Sequence, residues 1–337
     1  MMNSESSEKQ CPLHKTTDKI LGILDRTFQQ PLSDGTIPRT FHRKTHGALR
    51  GTFKVNPVED GVVRHGLFAE AGEYPAVVRF SSSLQNDDRK PDGRGLAIKL
   101  NGVSGELCEG AAQGIQDFVF ISDESVLAPD AEHSLMVFEQ LDGLEKISNA
   151  DLLMPRYTIP NYNPFRIRWE YVRSVLSTIR NHVRFKNLAG MSYYSQTPYQ
   201  LGASAVKYQV HPTKETRQRA KKAKGNTYRE RLQNLLETGA IVFDFYVQPR
   251  TSDEDPIDNA CVIWKGPTIC VARLELPPQN VDATLEIGRE MGFSPWNCLK
   301  AHKPLGSINA VRRHAYRASV EKRSGNFQCP FGGASRQ

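Results

Sequence analysis

Apolar residues recur at helical spacing from about Thr17 to Gln29 (TDKILGILDRTFQ), behind a threonine suited to capping, so a helix is expected there. From that point to about Glu124 the pattern changes. Short runs rich in valine, isoleucine and phenylalanine (GALRGTFKVN, YPAVVRFSSS, GRGLAIKLNGV and QDFVFISDE) are bounded by glycine, proline or aspartate and read as strands. From about Asp130 to His182 the chain reads as mainly helical, broken by the Pro/Asn loop IPNYNPF. A second strand block follows in SAVKYQVHP, GAIVFDFYVQPR and ACVIWKGPTICVARLELPP, the last expected to bend near Gly266 and Pro267. Helices return in NVDATLEIGREMG and SINAVRRHAYRASVEKR, with FSPWNCLKAHKPLG between them.

Strands grouped in blocks between helices, rather than alternating with them, predict an α+β fold with a mostly antiparallel sheet. Seven or eight strands suit a closed barrel. No repeat, low-complexity linker or glycine-rich phosphate loop interrupts the chain. One continuous domain is therefore expected over 31–325, after an N-terminal arm and helix (1–30) and before a short tail (326–337).

The composition, 39% hydrophobic and 24% charged over 337 residues, is that of a globular protein. No apolar run is long enough to span a membrane. The polar N-terminal stretch has no apolar signal core, and six scattered cysteines form no metal-type pairs, so a reducing, cytoplasmic setting is expected. The net charge of +7 is concentrated in KETRQRAKKAKGNTYRERLQ, Lys214 to Gln233. That stretch holds one aromatic residue and no nucleic-acid motif, so a solvated helix and loop is the expectation and no nucleic-acid partner is assigned.

Candidate chemistry enters near the C-terminus. On a helix, Arg312, Tyr316 and Arg323 share one face, with the phenol between two cations that would favour a phenolate. Taken alone, the pattern equally describes a basic helix with a tyrosine on its partly buried edge.

Three other segments bear on that choice: Arg39-Thr40-Phe41-His42, Val78-Arg79-Phe80-Ser81 and Asp92-Gly93-Arg94-Gly95-Leu96-Ala97-Ile98-Lys99. With Arg312 to Tyr316 they stand in the order of the haem-containing catalase family, which the chain resembles from about Arg39 to Arg323. SPWNCLKAHKPLGSINAVRRHAY looks like its short, catalase-related subgroup, which includes minimal catalases, peroxidases and allene oxide synthase-type enzymes. The resemblance implies an eight-stranded antiparallel barrel with surrounding and C-terminal helices, carrying haem b with ferric iron. It implies Tyr316 as the iron ligand, with Arg312 stabilising its phenolate. Arg39, Arg79 and Arg323 would meet the haem propionates, which planar guanidinium groups suit. His42 would be the distal acid–base group and Ser81 would orient its ring, with Phe41 lining the pocket. His46 is expected to be a neighbour without a chemical role. A homodimer or homotetramer is also implied.

The family's distal asparagine is missing. In QDFVFISDESVLAPD, Ile121 and Ser122 occupy its place, and Ser122 is the expected substitute donor. Phe41 is larger than the family's usual valine. Both changes point away from fast dismutation of hydrogen peroxide and toward slow catalase or peroxidase activity, or turnover of a lipid hydroperoxide. The alternatives are a fatty-acid hydroperoxide isomerase and a catalytically silent haem-binding protein on the same scaffold.

Overall fold

A computed structural model of the chain describes residues 12–143 and 154–323. The tail expected over 326–337 and the first eleven residues of the expected N-terminal arm lie outside the described residues. The strands are β1 (Lys44–Val55), β2 (Gly72–Ser82), β3 (Arg94–Asn101), β4 (Ile115–Ile121), β5 (Tyr193–Tyr194), β6 (Tyr199–Leu201), β7 (Ser204–Pro212), β8 (Ile241–Pro249) and β9 (Ile269–Leu276). They pair in the order β5-β4-β3-β2-β1-β9-β8-β7, and β5 pairs back onto β7. An eight-stranded antiparallel barrel is thereby closed, with β6 added as a hairpin on β7. The α+β barrel expectation holds.

Alternation along the strands separates two faces. Ile241, Phe243, Phe245 and Val247 of β8 are buried at every second position. Phe53, Phe80, Phe118 and Tyr208 from other strands join them inside the barrel. His302 sits in this interior as well. It accepts from the Leu67 N–H at Nε2 (2.9 Å) and contacts the Tyr208 hydroxyl through Nδ1 (2.7 Å). Burial pushes it down to about 3, so it is a neutral core histidine with both nitrogens satisfied.

The outer face of β1 to β4 is covered too. In register across these strands run Ala48, Arg79, Ala97 and Val119, and in the next outward-facing row Ser81, Gly95 and Ile121. Of the helices α1 (Pro12–Ile23, continuing as a π turn to Phe28), α2 (Ala131–Leu141), α3 (Trp169–Arg184), α4 (Lys214–Lys222), α5 (Tyr228–Glu237), α6 (Leu285–Glu290) and α7 (Ser307–Arg323), it is α1, α2, α3 and α7 that border this face.

Some local expectations need correction. Thr17 lies inside α1, and its hydroxyl donates to the Leu13 carbonyl (2.7 Å) instead of capping. The stretch ACVIWKGPTICVARLELPP is a strand only over β9. Its apolar first half runs as a loop, with Trp264 buried and the Lys207 ammonium 5.0 Å from its ring centroid. The basic 214–233 stretch is two capped helix starts, Thr213 and Thr227 being the caps, and α5 buries Leu232, Leu235 and Leu236.

One buried ion pair ties the barrel to α7. Lys99 Nζ meets both oxygens of Asp117 (2.6 and 2.9 Å), and Asp117 Oδ2 accepts from the Ser294 N–H (3.0 Å) and Asn297 Nδ2 (3.2 Å). This clamps the segment that leads into α7. Lys99→Met would leave the carboxylate buried without its cation, so a loss of about 3–5 kcal/mol in denaturant unfolding is expected. A change under about 1 kcal/mol would show that the pair does not anchor this junction.

Candidate functional site

A cavity of about 770 Å³ lies between the outer face of β2 to β4 and helices α1, α2, α3 and α7. That volume is within the range of ligand-binding pockets. The structure brings Arg39, Phe41, His42, Arg79, Ser81, Arg312, Tyr316 and Arg323 into its lining. They are drawn from one loop, one strand and one helix that lie far apart in sequence, which no local constraint would produce.

His42 precedes β1 with φ 56°, a left-handed backbone that an L-residue adopts at a cost of about 1–3 kcal/mol. Arg79 holds it there, donating from Nη2 to the His42 carbonyl (2.8 Å). Its ring is set by Ser81, whose Oγ is 3.2 Å from Nδ1 and 3.5 Å from the Gly95 carbonyl. With the hydroxyl proton on that carbonyl, Nδ1 carries the ring proton and Nε2 is the free base. Burial, then the charges of Arg79, Arg312 and Arg39, push His42 down to about 3. It is neutral at physiological pH.

Gly95 makes this packing feasible. A Cβ at that position would fall 2.4 Å from His42 Nδ1 and 2.6 Å from Ser81 Oγ. Gly95→Ala is expected to turn the ring away from Ser81 with little loss of global stability, because the strand itself tolerates alanine. An unchanged His42 Nδ1 environment by nitrogen NMR would contradict this.

The cations form the second feature. Arg79 is buried and donates from Nε to the Gly288 carbonyl (2.6 Å). Arg39 donates to the carbonyls of Gly288 (3.3 Å), Arg289 (2.9 Å) and Met291. Arg323 is bound to the Ser319 carbonyl (2.9 Å). Among the described residues none of these three, nor Arg312, is ion-paired with a carboxylate. Burial, then the charge of Arg323, lowers Arg79 to about 9. Burial lowers Arg323 to about 10, and Arg39 is held well below the ordinary range by burial and by Arg79 and Arg323. Arg39 Nε is buried with no partner. Three mutually repelling guanidinium groups with a spare donor make a site that an anion would relieve.

On α7, Arg312 donates from Nη2 to the Tyr316 hydroxyl (3.2 Å), and from Nη1 to Thr197 Oγ1 (3.0 Å) and Asn309 Oδ1 (3.1 Å). Burial opposes its charge, but Tyr316 and Tyr199 outweigh burial and raise its pKa. The Tyr316 ring packs against the cluster of Ala48, Val77, Val119, Met291 and Phe293. Phe41 joins Phe28 (5.3 Å) and Phe138 (5.7 Å) in an aromatic wall.

Ser122 is placed elsewhere. Alternation puts Val119 and Ile121 on the cavity face of β4, and Ile121, not Ser122, is in the lining. The Ser122 hydroxyl accepts from the Arg94 N–H (3.1 Å) and faces Asp123 Oδ2 (3.4 Å). The distal position that was expected to hold a donor is therefore apolar. His46 is buried against Ser82 Oγ (2.8 Å), outside the cavity lining. Residues that sequence reasoning missed are Gly95, Thr197 and the carbonyl of Gly288. Gly95 stands within a quoted motif, so its signal was present; the other two act through contacts distant in sequence.

No family model matches the chain, and no curated protein matches it in sequence. In structure it is similar to a bacterial catalase (TM-score 0.64, 17% identity, 86% of this chain and 58% of that one). It is also similar to a fungal catalase (0.64, 15%, 86% and 60%) and to catalase A from Saccharomyces cerevisiae (0.65, 16%, 86% and 62%). The chain spans about three fifths of the length of these proteins. The structural similarity, at this low identity, shows a catalase-like fold.

Proposed function

We propose that this chain is a haem-dependent oxidoreductase acting on hydrogen peroxide or an organic hydroperoxide. The observation that carries the reading is one cavity holding a Ser81-oriented neutral His42, an Arg312-bound Tyr316 and three guanidinium groups without carboxylates. The donor set fits a ferric haem: Tyr316 would ligate the iron, and Arg39, Arg79 and Arg323 would meet the propionates, the spare Arg39 Nε among them. A bound haem would supply the iron that exchanges electrons with an O–O bond. His42 would take a proton from the approaching oxygen at Nε2 and return it to the departing one, while Ser81 keeps the ring in register. Arg312 would hydrogen-bond the Tyr316 oxygen that meets the iron.

Ile121 in the lining, beside Leu24, Val137 and Leu141, favours a larger, apolar hydroperoxide over hydrogen peroxide. The same observation supports a fatty-acid hydroperoxide isomerase as a second reading. A silent haem carrier has no use for the His42–Ser81 contact. A homodimer or homotetramer belongs to this proposal on the resemblance alone.

The test is to express the chain with haem supplied, record its spectrum and compare hydrogen peroxide with a lipid hydroperoxide. A high-spin ferric spectrum of the tyrosinate type is expected, with higher kcat/KM for the lipid hydroperoxide. An oriented donor in a transition-state site contributes about 100-fold. Ile121→Asn with Phe41→Val should therefore move the ratio toward hydrogen peroxide by up to about that factor. Protein that binds no haem would overturn the reading; oxygen evolution at the rate of an ordinary catalase would overturn its substrate preference.

A further inference from the structure

Helix α3 has two unlike faces. Tyr171, Ser174, Val175 and Thr178 line the cavity. At about 100° per residue, Trp169, Leu176 and Val183 form an apolar stripe away from the cavity, Ile179 lies between this stripe and the cavity face, and Arg173, Arg180 and Arg184 run beside the stripe. In the segment before the helix, Tyr162 and Phe165 are exposed as well. These six apolar side chains are exposed by 41% at Ile179 to 95% at Phe165. Monomeric proteins rarely leave so much contiguous apolar surface uncovered.

The charge beside the stripe selects its occupant. Residues 156–186 contain seven lysines and arginines against one carboxylate, Glu170. A second copy of the chain docking face to face would oppose cations to cations. A nucleic acid would neutralise the arginines but leave Trp169, Leu176 and Val183 in water. An apolar stripe with aromatic residues and flanking arginines fits the interface of an anionic bilayer, where rings sit among headgroups and guanidinium groups meet phosphates.

The stripe also leads somewhere. Ile179, between the stripe and the cavity face, is both exposed and in the cavity lining, so an acyl chain could pass from one to the other along apolar surface. We infer that α3 and its preceding loop dock on an anionic lipid surface and that the cavity draws an amphiphilic, acyl-chain substrate from it. The docking half stands apart from the haem reading; the identity of the molecule drawn in rests on it.

The test uses the full chain without haem and sedimentation with phosphatidylcholine vesicles, with and without phosphatidylglycerol. Binding to the anionic vesicles is expected, weakening with salt, with a blue shift in tryptophan emission that Trp169→Ser removes. Arg173→Glu with Arg180→Glu, neither residue lining the cavity, should lower partitioning by about tenfold or more. Should circular dichroism reveal a loss of helix, Arg173→Gln with Arg180→Gln replaces that pair. Absence of binding to anionic vesicles, or binding indifferent to the charge changes, would overturn the inference. So would a dimer in sedimentation velocity that Trp169→Ser converts to monomer. Haem loading and turnover of a water-soluble hydroperoxide are read separately. Vesicle binding by a chain that takes no haem would refute the function and leave docking intact.

Discussion

Tyr316→Phe is expected to lose haem, or hold it far more loosely, while the fold survives. The substitution removes one oxygen and keeps the ring, which packs against the cluster that includes Met291 and Phe293. Arg312 loses one acceptor but keeps Thr197 and Asn309, so the stability change should be about 1 kcal/mol. The effect on iron should be far larger. Among the described residues no group of three or more His, Cys, Asp or Glu side chains is placed to hold a metal. On the proposed reading, Tyr316 is the oxygen donor on which iron retention would depend. Haem per chain, the ferric spectrum and a thermal melt distinguish the outcomes. Full haem occupancy with an unaltered spectrum would sink the ligand assignment; loss of the fold itself would show that the phenol is a packing residue. Arg312→Met complements it: the proposed ligand remains but loses the guanidinium bonded to its oxygen, so haem should be held more loosely and the ferric spectrum should change.

The barrel was legible because strand periodicity is a local property. Every strand of five or more residues overlaps a segment that the apolar pattern marks, and β8 alternates as a half-buried strand should. What closes the barrel was not legible. β5 is two residues long, and its pairing with both β4 and β7 depends on contacts far apart in sequence. The site was legible as motifs in order, and eight of its nine residues line one cavity. Ser122 is the exception, for a reason available from the sequence: if Val119 faces the cavity, period-two alternation sends Ile121 there and Ser122 away. The stretch that anchors Arg39 and Arg79 was out of reach. Its function is carried by backbone carbonyls at Gly288, Arg289 and Met291, and carbonyls leave no residue-type signal. The approach of α6 to β1 needs Gly288 as well, since a Cβ there would fall 2.6 Å from Thr45 Oγ1.

His42→Ala should lower the rate of iron oxidation by peroxide by about 100- to 10,000-fold, the usual contribution of a positioned acid–base group, with haem content nearly unchanged. Alanine at φ 56° is strained, so His42→Asn, a residue that tolerates the left-handed region, serves as the variant in which folding is not at issue. The pH profile adds a sharper criterion. Burial and the neighbouring arginines hold His42 down at about 3, whereas a free histidine titrates near 6.5. A base active in its neutral form loses activity as pH falls through its own pKa. In the wild type kcat/KM should therefore stay level from about pH 8 down to pH 5, with no acid limb near 6.5. An acid limb centred near 6.5 would mean that the base is a solvent-exposed histidine. A loss below tenfold in the His42 variants would mean that another group moves the proton. A level profile that drops uniformly by two or more orders of magnitude in both variants is the result that assigns the proton transfer to Nε2 of His42, held by Ser81 on one side and by Arg79 at its own carbonyl on the other.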